Sequence, residues 1–113
     1  MQSKSLGSYY ERQALDYLLR NGLVLIKQNF LCRKGEIDLI CLDQSELVFV
    51  EVRYRRTSSY GNALESVTYS KQQKIKKTAY YFLFAYSHFQ HYSLRFDVIA
   101  IDQQNIQWVK HAF

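Results

Sequence analysis

Gly35-Glu36-Ile37-Asp38-Leu39-Ile40-Cys41-Leu42, then Asp43-Gln44-Ser45-Glu46, then Leu47-Val48-Phe49-Val50-Glu51-Val52-Arg53-Tyr54, is the stretch whose reading decides the fold. Two apolar runs flank four polar residues, the pattern of a tight antiparallel hairpin with strands near Glu36–Leu42 and Leu47–Tyr54. If Asp43 to Glu46 make the turn, Leu42 pairs with Leu47 and all partners sum to one constant. Asp38 then lies opposite Glu51, and Glu36 opposite Arg53. Paired residues share a face of the sheet. That spacing sets the Cβ atoms of Asp38 and Glu51 roughly 5 Å apart. Two ionised carboxylates so placed repel by about 3 kcal/mol at an effective dielectric of about 20. A divalent cation, an arginine or one shared proton would relieve the repulsion. The plainer account is a closed ion cluster of Asp38, Glu51, Glu36 and Arg53 that only fixes strand register.

Before the hairpin, helical spacing runs from about Leu6 to Asn21 with Gly22 as its stop, and a strand follows at Val24–Cys32. At 100° per residue, Glu11 falls within roughly 20° of Leu18, at the centre of the apolar stripe of Ala14, Leu15 and Leu18. A helix laid on the sheet by that stripe points Glu11 toward Asp38 and Glu51. Three convergent carboxylates suit Mg²⁺ or Mn²⁺.

After the hairpin, the polar segment from Arg55 to Tyr69 reads as a loop with a helical turn at most. A second helix is expected from Ser70, where Ser70 and Gln73 form a capping box and Ile75, Ala79, Phe82, Leu83 and Tyr86 recur at helical spacing. Strands near Leu94–Ile101 and Ile106–Val109 complete the order α-β-β-β-α-β-β. This is an α/β domain with a mixed sheet and flanking helices, in two layers or three.

The 113 residues, nearly half of them apolar and none of them proline, suit one domain over 1–113 and argue against disorder. The net charge of +5, from 15 Lys+Arg against 10 Asp+Glu, favours an anionic partner. Cys32 and Cys41 lie in apolar surroundings and read as buried thiols of a reduced, cytoplasmic protein. No apolar run opens the chain, so no signal peptide is expected, and Ala79 to Tyr86 is too short to span a bilayer.

Arg53-Tyr54-Arg55-Arg56, with Lys71, Lys74, Lys76 and Lys77, interleaves basic and aromatic residues as phosphate-contacting surfaces do. A solvated charged face is the bland alternative. His88, His91 and His111 lack zinc spacing. Asp97 reads as a structural partner of Arg95, and Tyr80, Tyr81 and Tyr86 as packing.

Gly35-Glu36-Ile37-Asp38-Leu39-Ile40 and Phe49-Val50-Glu51-Val52-Arg53-Tyr54-Arg55 closely resemble the YraN-like family of uncharacterised bacterial proteins. The Gly7 to Glu11 helix start, Ser70-Lys71-Gln72-Gln73-Lys74 and Arg95-Phe96-Asp97-Val98 extend the likeness over nearly the whole chain. The resemblance implies a restriction-endonuclease-like fold, similar to Holliday-junction resolvases and other PD-(D/E)xK nucleases. It implies Glu11, Asp38, Glu51 and Arg53 as catalytic residues, with Asp38, Glu51 and Glu11 as ligands of Mg²⁺ or Mn²⁺. Arg53 stands where the motif usually has lysine and, being always charged, cannot serve as a base. Lys71 or Lys74 is the candidate replacement. Arg53, Arg55, Arg56, Lys71 and Lys74 are the expected nucleic-acid contacts.

The resulting expectation is a metal-dependent endonuclease acting on DNA, branched or damaged forms included, with no organic cofactor and no membrane partner. A homodimer is open by analogy with the resolvases. The alternatives are a non-catalytic nucleic-acid-binding protein that keeps the nuclease fold, and an interaction protein with a sealed acidic cluster.

Overall fold

The computed structural model describes residues 2–54, 67–102 and 105–113, with side chains from Gly7 onward. The expected turn within Arg55 to Tyr69 lies largely outside these residues, as do Arg55 and Arg56. The first helix, α1, spans Gln2–Arg20, and the strands β1, β2 and β3 span Val24–Cys32, Gly35–Asp43 and Glu46–Tyr54. The second helix, α2 (Tyr69–Ala85), leads through a single 3-10 turn (Ser87–Phe89) to β4 (Ser93–Ile101) and β5 (Ile106–Val109). The order expected from the sequence is the order observed.

Helix α1 stops where glycine permits it to. Leu23 N–H reaches Leu18 O at 3.1 Å and Gly22 N–H reaches Leu19 O at 3.1 Å, with Gly22 at φ +92°. This two-bond closure satisfies carbonyls that the last turn leaves free, and it needs a residue at ease in the left-handed region. The start of α2 corrects the sequence reading. The cap is Thr68, whose hydroxyl accepts from Lys71 N–H at 3.2 Å, so the helix begins at Tyr69 without the Ser70–Gln73 box. Both hydroxyl residues are competent caps, and the choice follows from where Val67, only 2% exposed, is pulled into the core.

The strands lie side by side in the order β1-β2-β3-β4-β5, all antiparallel except β3 with β4. A parallel pair needs a crossover, which α2 supplies. The molecule has three layers. On one face α1 packs Ala14, Leu15 and Leu18 against Leu39, Cys41, Val48, Val50 and Ile99. On the other α2 packs Ile75, Ala79, Phe82 and Leu83 against Phe30, Ile40, Phe49 and Phe96. Cys41 is buried and Cys32, read as buried too, is only half-buried; both are free thiols. Burial raises the Cys41 pKa to about 12, so that thiol stays protonated.

Tyr80 and Tyr81 also depart from expectation. Tyr80 is 63% exposed and Tyr81 points largely outward, whereas Tyr86 packs on Phe82 with centroids 4.8 Å apart. Lys76 does not join a basic helix end, since its ammonium lies over the rings of Phe96 and Phe113. Among the described residues no helix is long and apolar enough to cross a membrane.

Candidate functional site

The β2–β3 hairpin has the register read from the sequence, from Asp43↔Glu46 through Leu42↔Leu47 to Leu39↔Val50. There the ladder ends. Asp38 inserts its carboxylate between the strands and accepts the backbone N–H of Val52 at 2.8 Å. A side chain thus takes a donor that a strand partner would have used, and the strands part. Glu36 therefore does not sit opposite Arg53. It pairs with Leu31 of β1 and is exposed, so the expected four-residue ion cluster is reduced to Asp38, Glu51 and Arg53.

The parted strands open a cavity of about 370 Å³. Glu11 and Tyr10 of α1, Asp38 of β2, and Glu51, Arg53 and Tyr54 of β3 line it, with Gly7 at its edge. The three carboxylates expected to converge do so. Glu51 is only 5% exposed, and its Oε2 accepts from Arg53 Nη1 at 3.2 Å and lies 3.8 Å from Lys71 Nζ. Of the two lysines considered as substitutes for the missing motif lysine, Lys71 is the one brought to the acids. Lys74 is exposed.

The electrostatics follow from burying like charges together. Desolvation, then the nearby Asp38, raises Glu11 from 4.5 to about 7, against a hydrogen bond from Asn29 that lowers it. Glu51 is raised to about 7 by burial and by Asp38, in spite of Lys71 and Arg53. Burial also raises Asp38, which hydrogen-bonds Glu51. Among the described residues no group of three His, Cys, Asp or Glu side chains could hold a metal ion, so Glu11, Asp38 and Glu51 do not form the three-ligand set expected from the sequence. What the cavity presents is a carboxyl pair, Asp38 with Glu51, and a third acid on the facing helix. Hard oxygen donors that are costly to ionise together suit a divalent cation completed by water.

A model of the uncharacterised protein family UPF0102 matches residues 10–101. A UPF0102 protein of Legionella pneumophila is 48% identical over 109 residues, covering 95% of this chain and 92% of the relative. UPF0102 proteins of Pseudomonas fluorescens and Aliivibrio salmonicida are 47% and 46% identical over the same length. The chain belongs to the UPF0102 family.

This UPF0102 chain carries a site residue that the sequence did not disclose. Asn29 of β1 stands at φ +51° opposite Asp38, where the regular pairing of β1 with β2 skips from Gln28↔Leu39 to Phe30↔Ile37. Asparagine tolerates the left-handed conformation better than most residues. There its amide meets Glu11, and with Glu36, Ser8 and Gly7 it lines a neighbouring cavity that shares the Glu11 wall. The visible signal was only a polar Gln28-Asn29 pair inside a strand. Tyr10 and Tyr54 form the cavity's aromatic side, stacked at 4.0 Å and 17°. Their hydrogen bond, with some burial, raises the Tyr10 hydroxyl to about 12.

Acids whose native pKa exceeds the unfolded value bind more protons folded than unfolded between the two values, so stability falls as pH rises through that interval. With a chelator present, the thermal midpoint is expected to decline between about pH 4.5 and about pH 7. The Glu11→Gln variant should show a shallower decline. Equal slopes in the two proteins would remove the electrostatic description given above.

Proposed function

We propose that this UPF0102 protein is a metal-dependent endonuclease acting on DNA, and that the Glu11–Asp38–Glu51 cavity is where it cuts. The observation that carries the reading is the meeting of three buried or half-buried carboxylates with Arg53 on one open cavity, with Lys71 beside Glu51. Asp38 and Glu51 would hold Mg²⁺ or Mn²⁺, with Glu11 reaching through water from the opposite wall. A cation there supplies a Lewis acid for the scissile phosphate and lowers the pKa of bound water. Arg53 is fixed by Glu51, always charged, and suited to steady negative charge on a phosphate. Lys71 is the one amine beside the acids among the described residues. Its place at the start of α2 lets it orient an attacking water, the task Arg53 cannot perform as a base.

Purified protein incubated with single-stranded, duplex, flapped and four-way-junction DNA in Mg²⁺ or Mn²⁺ tests the reading. Metal-dependent products from any of these support it. Salt-sensitive binding without products in either metal favours the runner-up, a nucleic-acid-binding protein that keeps the nuclease fold, for which the arginine at position 53 is the specific feature. Neither binding nor metal uptake leaves a protein whose acidic cluster serves structure or protein contacts.

The role of Lys71 has its own test. Lys71→Met is expected to reduce cleavage by about 10²–10⁴-fold, the usual worth of a positioned proton-transfer group. Lys71→Arg should restore DNA affinity but little of the rate, because the charge returns without a titratable amine. Full rate in Lys71→Arg would reduce Lys71 to a phosphate contact.

A further inference from the structure

The aromatic side of the cavity has no task in the metal chemistry. Tyr10 and Tyr54 stack at 4.0 Å, and Tyr9 meets Tyr10 edge-on at 5.0 Å while remaining 55% exposed. Tyr10 and Tyr54 line the cavity beside Glu11 and Arg53, and Tyr10 also packs against the α1 core cluster. The next turn of α1 toward its start presents Gly7 to the same cavity. Glycine is among the poorest helix formers. Packing among the described residues does not require it, since a Cβ built there meets none of their atoms within 4 Å. Among the described residues nothing covers the helix at Gly7, next to the ring platform.

We propose that this platform seats an unpaired nucleobase, so that the DNA taken by the site carries a single-stranded or flipped-out nucleotide at the reacting phosphate. The inference rests on the endonuclease reading and names its substrate class. In this proposal a flat, uncharged ring would stack on the tyrosine pair beside Gly7, with the adjoining phosphate toward Arg53 and Lys71. Stacking of this kind tolerates any base, because every base has a π-face. A fully paired duplex cannot stack one of its bases on such a platform without first unstacking it from its neighbours.

Three probes in Ca²⁺ test it by fluorescence: a single strand, a blunt duplex of the same sequence, and that duplex with one bulged 2-aminopurine. The single strand and the bulged duplex are expected to bind at least about tenfold more tightly than the blunt duplex, with further quenching of 2-aminopurine on binding. Tyr54→Leu should weaken binding of the unpaired probes by roughly 5- to 100-fold and leave the blunt duplex unchanged, while Tyr54→Phe keeps the preference. Gly7→Leu, at an exposed helical position where folding is not at risk, should likewise abolish the preference. Equal binding of paired and unpaired probes, or a preference that survives both Tyr54→Leu and Gly7→Leu, overturns the platform and leaves the endonuclease reading standing. Failure to bind any of the probes at low salt overturns both.

Discussion

Replacing Asp97 by alanine is expected to cost about 3–5 kcal/mol of folding stability, a large share of the margin of a domain this size. Asp97 is fully buried in β4. Its Oδ1 accepts from Arg95 Nε at 3.0 Å and from the His111 backbone N–H at 3.1 Å. Its Oδ2 accepts from Arg95 Nη2 and from Trp108 Nε1, both at 2.9 Å. Truncation would orphan four N–H donors from three residues at once and leave a guanidinium, 5% exposed, without its main counter-charge. Glu46 at 2.7 Å and Asp43 at 3.0 Å from Arg95 Nη1 would remain, but both are nearer the surface. Removing one partner of such a pair costs more than removing both, because the penalty is the uncompensated charge. The Arg95→Leu, Asp97→Leu protein should therefore be more stable than Asp97→Ala alone. Urea unfolding of the three proteins decides the matter, and a cost below about 1 kcal/mol for Asp97→Ala would show that water reaches Arg95.

The same residues show what a sequence discloses and what it withholds. Arg95 and Asp97 lie two apart on one strand, so their pairing was legible from the period of the strand. That they also clamp the β2–β3 turn and the C-terminal segment was not, because Glu46 and Trp108 arrive through sheet order. The hairpin register followed from one assumption about its turn, since alternation admits no half-steps. The point where the ladder breaks did not follow, because it depends on whether a carboxylate or a carbonyl takes the Val52 N–H. Glu11 was legible as a charge on an apolar stripe. Lys71 was only one of two candidates until α2 was seen to lay its first turn beside Glu51. Asn29 carried only a faint signal, a polar pair with Gln28, because nothing in one sequence marks a left-handed residue inside a strand.

The largest functional effect is expected from neutralising the carboxyl pair. Asp38→Asn with Glu51→Gln should abolish Mn²⁺ binding in calorimetry and lower any cleavage by at least about 10³-fold, since the proposed cation would lose both of its direct ligands. Its effect on stability should have the opposite sign. In the parent protein without metal, burial raises both acids, with Glu36 adding to the rise at Asp38 and Asp38 to that at Glu51, so ionising them by neutral pH works against the fold. Amides of the same size carry no charge to desolvate, and the carboxamide that replaces the Asp38 side chain keeps an oxygen for the Val52 N–H. The variant should melt higher than the parent at pH 8 with a chelator, with the gap narrowing toward pH 5 as the parent's acids take up protons. Adding Mn²⁺ at pH 8 should raise the parent's midpoint and leave the variant's unchanged. This crossing of stability and function distinguishes a cation pocket from a register-fixing ion cluster, which would weaken on the same substitutions at every pH. Unchanged Mn²⁺ affinity, or a variant less stable than its parent at pH 8, would place the acids in that second role.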